Sequence, residues 1–112
     1  MAVVVPFGDP SDYGRILRTI RRIWAEGTVE YGPHAIKAMG PSGLTALDIE
    51  SVLLNGSIIE HNRPRENWRW KVQGACVDGG NASCVVEIEL DAHLIIVTAI
   101  DERKPPRRRR KQ

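Results

Sequence analysis

Eight side chains in this sequence could hold a phosphate or move a proton beside one: His34, Lys37, His61, Arg63, Arg65, Arg69, Lys71 and His93. An imidazole exchanges its proton near neutral pH. Guanidinium and ammonium groups stabilise the charge that develops on the oxygens of a reacting phosphate. Such a set suits metal-independent cleavage of RNA, which needs a base for the 2′-hydroxyl, an acid for the leaving oxygen and cations for the phosphorane. The candidate catalytic residues are His34, Lys37, Arg63, Arg65, Arg69 and Lys71, with His34 as base or acid. His34 equally suits a packing role between a helix and a sheet. Other chemistries lack their signatures. There is no Gly-rich phosphate loop, nucleophile elbow or paired-ligand metal motif, so no metal and no cofactor is assigned.

A second basic group lies on the first predicted helix. Asp9-Pro10-Ser11-Asp12 is a helix start, with a capping side chain and a proline tolerated in the first turn. From there to Glu26, Tyr13, Ile16, Leu17, Ile20, Ile23 and Trp24 recur at helical spacing, and Gly27 ends the run. Arg15, Arg18 and Arg22 share another face of that helix. They are candidate nucleic-acid-binding residues, or a solvated face.

The elements that must position these residues are marked unequally. Thr45 is a good N-cap, Asp48 completes a capping box, and Leu44 with Ile49 suits a hydrophobic staple. Asn55-Gly56 ends this helix, with Gly56 suited to a left-handed position. His34–Met39 is a shorter helix behind Gly32-Pro33. Thr28–Tyr31 is a short strand or extended linker, and Ser57–Glu60 a strand. In the next strand Trp68, Trp70 and Val72 face in while Arg69, Lys71 and Gln73 face out. After Asp78-Gly79-Gly80, Cys84, Val86, Ile88 and Leu90 alternate with Glu87 and Glu89. Only an odd-numbered loop matches these faces. A three-residue loop pairs Trp70 with Ile88 and Val72 with Val86, and sets Arg69 opposite Glu89 and Lys71 opposite Glu87. Leu94–Ile100 is apolar on both faces, which predicts an interior strand covered on both sides.

At 112 residues the chain can bury a real core. The expected organisation is an extension over 1–9, one domain over 10–100 and a disordered basic tail over 101–112. Asp101 to Gln112 hold seven basic and two acidic residues, whereas residues 1–100 hold nine basic and twelve acidic. The basic isoelectric point therefore belongs to the tail, and any nucleic-acid binding by the domain needs a local patch. No apolar run reaches the roughly 18 residues of a membrane span, and the expectation is a cytoplasmic protein. Cys76 and Cys84 then read as reduced thiols.

His34-Ala35-x-x-x-Met39, Gly43-Leu44-Thr45, the capped helix to Asn55-Gly56, Ile58-Ile59-Glu60 and the meander ending at Ile100 resemble a small bacterial family of unknown function. That family carries His-Ala-x-x-Arg-Met followed by Arg-Gly-Ile-Ser. The layout is similar to BrnT and RelE/ParE-like toxins of toxin–antitoxin systems, and the resemblance covers about Ile16 to Ile100. It implies an α+β fold, with N-terminal helices packed on a meandering, mostly antiparallel sheet, and it implies mRNA cleavage and an antitoxin partner. The motif's arginines fall here on Ala38 and Ser42, and a histidine of the penultimate strand falls near Cys84. Lys37, beside Ala38, projects about 100° round the helix. Two function classes follow: a toxin-like ribonuclease, and a non-catalytic interaction module, binding a partner or itself, that kept the fold and lost the site.

Overall fold

The computed structural model describes residues 8–90 and 92–103. The expected N-terminal extension, apart from Gly8 and Asp9, and the expected basic tail over 101–112, apart from Asp101, Glu102 and Arg103, lie outside the described residues. The helical stripe of the first segment forms α1, Tyr13–Glu26, with Asp12 as N-cap accepting from the Arg15 amide. It buries Ile16, Ile20 and Ile23. Four residues, Thr28–Tyr31, form strand β1. Helix α2 runs from Pro33 to Ser42, past the expected end at Met39, with Pro41 in its last turn. The Ser42 hydroxyl donates back to the Ala38 and Met39 carbonyls, 2.8 and 3.2 Å away, and so gives a partner to one of the carbonyls, Met39 O, that the helix end leaves unbonded. Gly43, at φ 75°, closes the helix in the left-handed conformation.

Helix α3, Ala46–Asn55, has the capping box that Thr45 and Asp48 predict. Its far end differs from expectation. Gly56 is extended, at φ −90° and ψ −168°, rather than left-handed. Glycine is needed there for close approach, because a Cβ would lie 2.4 Å from the Gln73 carbonyl oxygen and 2.5 Å from that of Val52. The last carbonyls of α3 are met by Arg21 of α1, which donates to Leu53 O at 2.9 Å and Gly56 O at 3.1 Å. A cation at the negative end of the helix dipole is favourable there.

Four more strands follow: β2 Ser57–Asn62, β3 Arg69–Ala75, β4 Asn81–Glu89 and β5 His93–Asp101. The sheet order is β1-β5-β4-β3-β2, antiparallel except for β1, which runs parallel to β5. The architecture is α+β, with the helices packed on a five-stranded mixed sheet.

The β3–β4 loop is odd-numbered, as the alternation requires, but it is Cys76–Gly80, five residues rather than three. Trp70 therefore pairs with Val86, Val72 with Cys84, and Arg69 with Glu87. A shift of two keeps each residue on its face and changes every partner. The cause lies outside the hairpin. Asp48 is 7% exposed; one carboxylate oxygen accepts from the Thr45 amide and the other from the Val77 amide, both at 3.0 Å. Val77 is thereby taken out of the ladder, and Cys76 is buried.

All three helices contribute to one core cluster, with Trp70, Val72, Cys84, Val86, Leu94 and Ile96 from one face of the sheet. The strand β5 is interior, as expected, but among the described residues helices cover only one side of it. Ile95 and Val97 are half-buried and belong to no core cluster among the described residues. The opposite sheet face is dressed by its own polar side chains. Glu102 accepts from Gln73 and Ser83 and lies 3.8 Å from the Lys71 ammonium. No helix among the described residues is long and apolar enough to cross a membrane.

Two measurements test this framework. The Thr45 and Val77 amides hold the Asp48 carboxyl below its ordinary pKa. Its stabilising contribution is thus complete above the unfolded value of about 3.9 and is lost as pH falls through the lower folded value. Urea unfolding should show Asp48→Ala less stable by about 2–3 kcal/mol at pH 7, with a shallower decline below pH 4 than the wild type; parallel acid limbs would count against this. Gly56→Ala should lower stability by about 1–3 kcal/mol through overpacking against β3, again read by urea midpoint.

Candidate functional site

The six candidate catalytic residues fall in three places. His34 and Lys37 are exposed on α2 and make no hydrogen bond or ion pair among the described residues. Helix α2 packs on β5, beside the β1 edge. Arg63 and Arg65 lie in the β2–β3 loop at the other edge. From β5 to β2 is three strand spacings, roughly 14 Å, so His34 and the loop arginines stand over opposite edges of the sheet.

Arg69 and Lys71 are in the third place, on the sheet face away from the helices, and both are engaged. Arg69 Nε lies 2.6 Å from Glu87, and Lys71 is the cation beside Glu102. An open cleft of about 320 Å³ next to Arg69 is lined by Arg65, Glu66, Asn67, Arg69 and Glu87. Two arginines and two carboxylates there leave little net charge. Of the second basic group, Arg15 pairs with Asp12 at 3.2 Å. Arg18 and Arg22 are exposed and form no ion pair among the described residues.

On the helix side of the same β2–β3 loop, the fold assembles a cluster that the candidate set omits. His61, next to last in strand β2, lies on the core-facing side, paired with Trp70. Its Nδ1 is 2.7 Å from the Tyr13 hydroxyl at the start of α1. The two rings meet edge to face at 5.5 Å. Trp68, just before β3, has its ring 5.4 Å from that of His61, and the Arg63 guanidinium lies 5.9 Å from the Trp68 ring. Arg63 Nε also donates to Glu66 O, which fixes the loop. The Trp68 indole N–H is buried and has no hydrogen-bond partner among the described residues. Trp70 secures the arrangement from below, donating from Nε1 to Pro10 O at 2.9 Å and so holding the start of α1 over β3.

Around the β2–β3 loop the fold gathers an imidazole from β2, a phenol from α1, and the Trp68 indole and Arg63 of the loop itself, with Arg65 in the same loop. That grouping can take up an anion, stack a planar base and move a proton. His93, the remaining histidine candidate, instead bridges strands, with Nε2 3.0 Å from Glu30 and Nδ1 3.5 Å from Glu89. Among the described residues no group of three or more His, Cys, Asp and Glu is placed to hold a metal ion.

Residues 31–101 match DUF4258, a domain of unknown function. The chain belongs to the DUF4258 family. No curated protein and no solved structure matches it. The DUF4258 stretch includes His61, Arg63, Trp68 and the whole meander, whereas α1, which supplies Tyr13, precedes it.

Sequence reasoning reaches two residues of this loop, Arg63 and Arg65, because cations are visible one at a time. It places His61 among scattered candidates and reads Tyr13 and Trp68 only as packing. Nothing local pairs Tyr13 with a histidine 48 positions away. The cysteines take no part. Both are free and buried, and burial pushes the Cys84 thiol up to about 12. At pH 8 a disulfide reagent should therefore modify neither thiol within minutes in the native protein and both after unfolding in urea; rapid native modification of Cys84 would show that the core opens.

Proposed function

We propose that this DUF4258 protein acts on RNA as a toxin-like, metal-independent ribonuclease, with the β2–β3 loop as its RNA-holding element. The observation that carries this reading is the Arg63 guanidinium over the Trp68 ring, with Arg65 in the same short loop. Single-stranded RNA is held by cations that follow the backbone and aromatic rings that stack on bases, with little demand on sequence. A local patch is what residues 1–100 require, since their overall charge is acidic. Arg18 and Arg22 extend the basic surface along α1. An antitoxin partner belongs to the same reading and comes from the resemblance to BrnT and RelE/ParE-like toxins.

A second reading is favoured by a different observation. The sheet face away from the helices carries half-buried Val85, Ile95 and Val97, outside the core cluster. A non-catalytic module that binds a second protein through this face would explain why Arg69 and Lys71 are already neutralised by Glu87 and Glu102.

RNA binding separates the two. For the purified full chain and a single-stranded RNA oligonucleotide, fluorescence anisotropy across salt concentrations should give a linear log–log dependence. Changing Arg63 and Arg65 together to alanine should lower the magnitude of its slope by about 1.4, the value for two phosphate contacts on a single strand. An unchanged slope places RNA elsewhere, and no binding by the wild type leaves the interaction module as the better account.

A further inference from the structure

We propose that His61, held by Tyr13, is the proton-transfer centre of the protein, in place of His34; the proposal rests on the RNA reading above. The Tyr13 hydroxyl and His61 Nδ1 are 2.7 Å apart and join α1 to β2. Nε2 has no partner among the described residues. Both side chains are half-buried, so the ring is fixed without being sealed from solvent. His34, by contrast, is exposed and has no hydrogen-bond partner among the described residues.

The chemistry follows from the two ring nitrogens. With the proton on Nδ1, the Tyr13 oxygen accepts it as a hydrogen bond and Nε2 presents a lone pair. Nε2 takes the proton of a ribose 2′-hydroxyl as the 2′-oxygen forms its bond to phosphorus. The P–O5′ bond breaks, O5′ takes a proton from water, and the imidazolium returns its proton to the resulting hydroxide. The products are a 2′,3′-cyclic phosphate and a free 5′-hydroxyl, with no net gain or loss of protons. In the imidazolium both nitrogens carry protons, so Tyr13 accepts from Nδ1 throughout and acts as a positioning residue. Arg63, 5.9 Å over the Trp68 ring, is placed to meet the charge on the phosphorane oxygens. The buried indole N–H of Trp68, which has no hydrogen-bond partner among the described residues, belongs to the same cluster.

The substrate class is therefore single-stranded RNA, with the 2′-hydroxyl required. The test uses the full chain in EDTA, with a 5′-labelled RNA oligonucleotide and a DNA oligonucleotide of the same sequence. Binding is read by anisotropy and cleavage by gel. The expected result is cleavage of the RNA to products ending in a 2′,3′-cyclic phosphate, with the DNA bound but intact. His61→Ala should bind RNA as the wild type does and cleave at least 100-fold more slowly. Tyr13→Phe should bind equally and show an altered pH–rate profile, which loss of packing alone would not produce. The DNA comparison stands even where a variant fails to fold. Binding without cleavage overturns this proposal and leaves the RNA reading intact. Undiminished cleavage by His61→Ala, or equal cleavage of DNA, also overturns it. Absence of RNA binding by the wild type overturns both.

Discussion

One carboxylate sets the geometry on which the rest of the sheet depends. Asp48 closes the N-terminus of α3 through Thr45 and holds the β3–β4 loop through Val77. Aspartate reaches both amides from within the first turn of the helix, where the helix dipole also favours a negative charge. Because the Val77 amide is engaged there, the hairpin closes at Ala75 and Asn81, and every cross-strand partner follows. Arg69 meets Glu87 for this reason and not Glu89, and Lys71 is left to Glu102. A helix cap thereby decides which cations on a distant strand remain available.

What the sequence makes legible is what repeats locally. The apolar stripe of α1, the capping box of α3 and the alternation of β3 and β4 each rest on a short period and a recognisable terminus, and each forms. The faces of β3 are correct in the sequence reading while its partners are not, because parity depends on alternation and register depends on Asp48, which lies nearly thirty residues earlier. The same contrast governs α2. The sequence reading ends that helix at Met39, but the Ser42 hydroxyl bonds back to two carbonyls and sustains a last turn that contains Pro41. Leu94–Ile100 misleads differently. Its apolar residues on both sides argue for two covered faces, yet among the described residues one face is screened by side chains of the sheet itself and by Glu102 and by no helix.

The candidate site was legible in its components and not in its assembly. Cations can be counted in a sequence; their neutralisation cannot. Arg15, Arg69 and Lys71 each acquire a carboxylate in the fold, at 3.2, 2.6 and 3.8 Å, and so are poorer phosphate ligands than their identities suggest. Arg63 and Arg65 lie in a turn-rich loop, where the sheet ladder makes no claim on them. An exposed ion pair contributes about 0–1 kcal/mol, so a phosphate could compete for Arg15 at little cost. The Arg69–Glu87 pair is more enclosed and is better understood as part of the strand pairing.

The placement of Tyr13 against His61 depends on an anchor outside the loop. Trp70 donates to the Pro10 carbonyl, and this bond fixes where α1 begins relative to β3. One residue turn later, Asp12 caps the helix and Tyr13 enters its first turn facing β2. The pair is thus a product of the α1–sheet junction, with one partner inside the DUF4258 stretch and one before it. A chain limited to residues 31–101 would present His61, Arg63 and Trp68 without the hydroxyl that orients the imidazole. It would also lose the buried Ile16, Ile20 and Ile23 from the core. Stability and ring orientation therefore draw on the same helix, and truncation alone cannot separate them. Removing a single oxygen from Tyr13 can, because the aromatic ring keeps its packing while the bond to Nδ1 disappears.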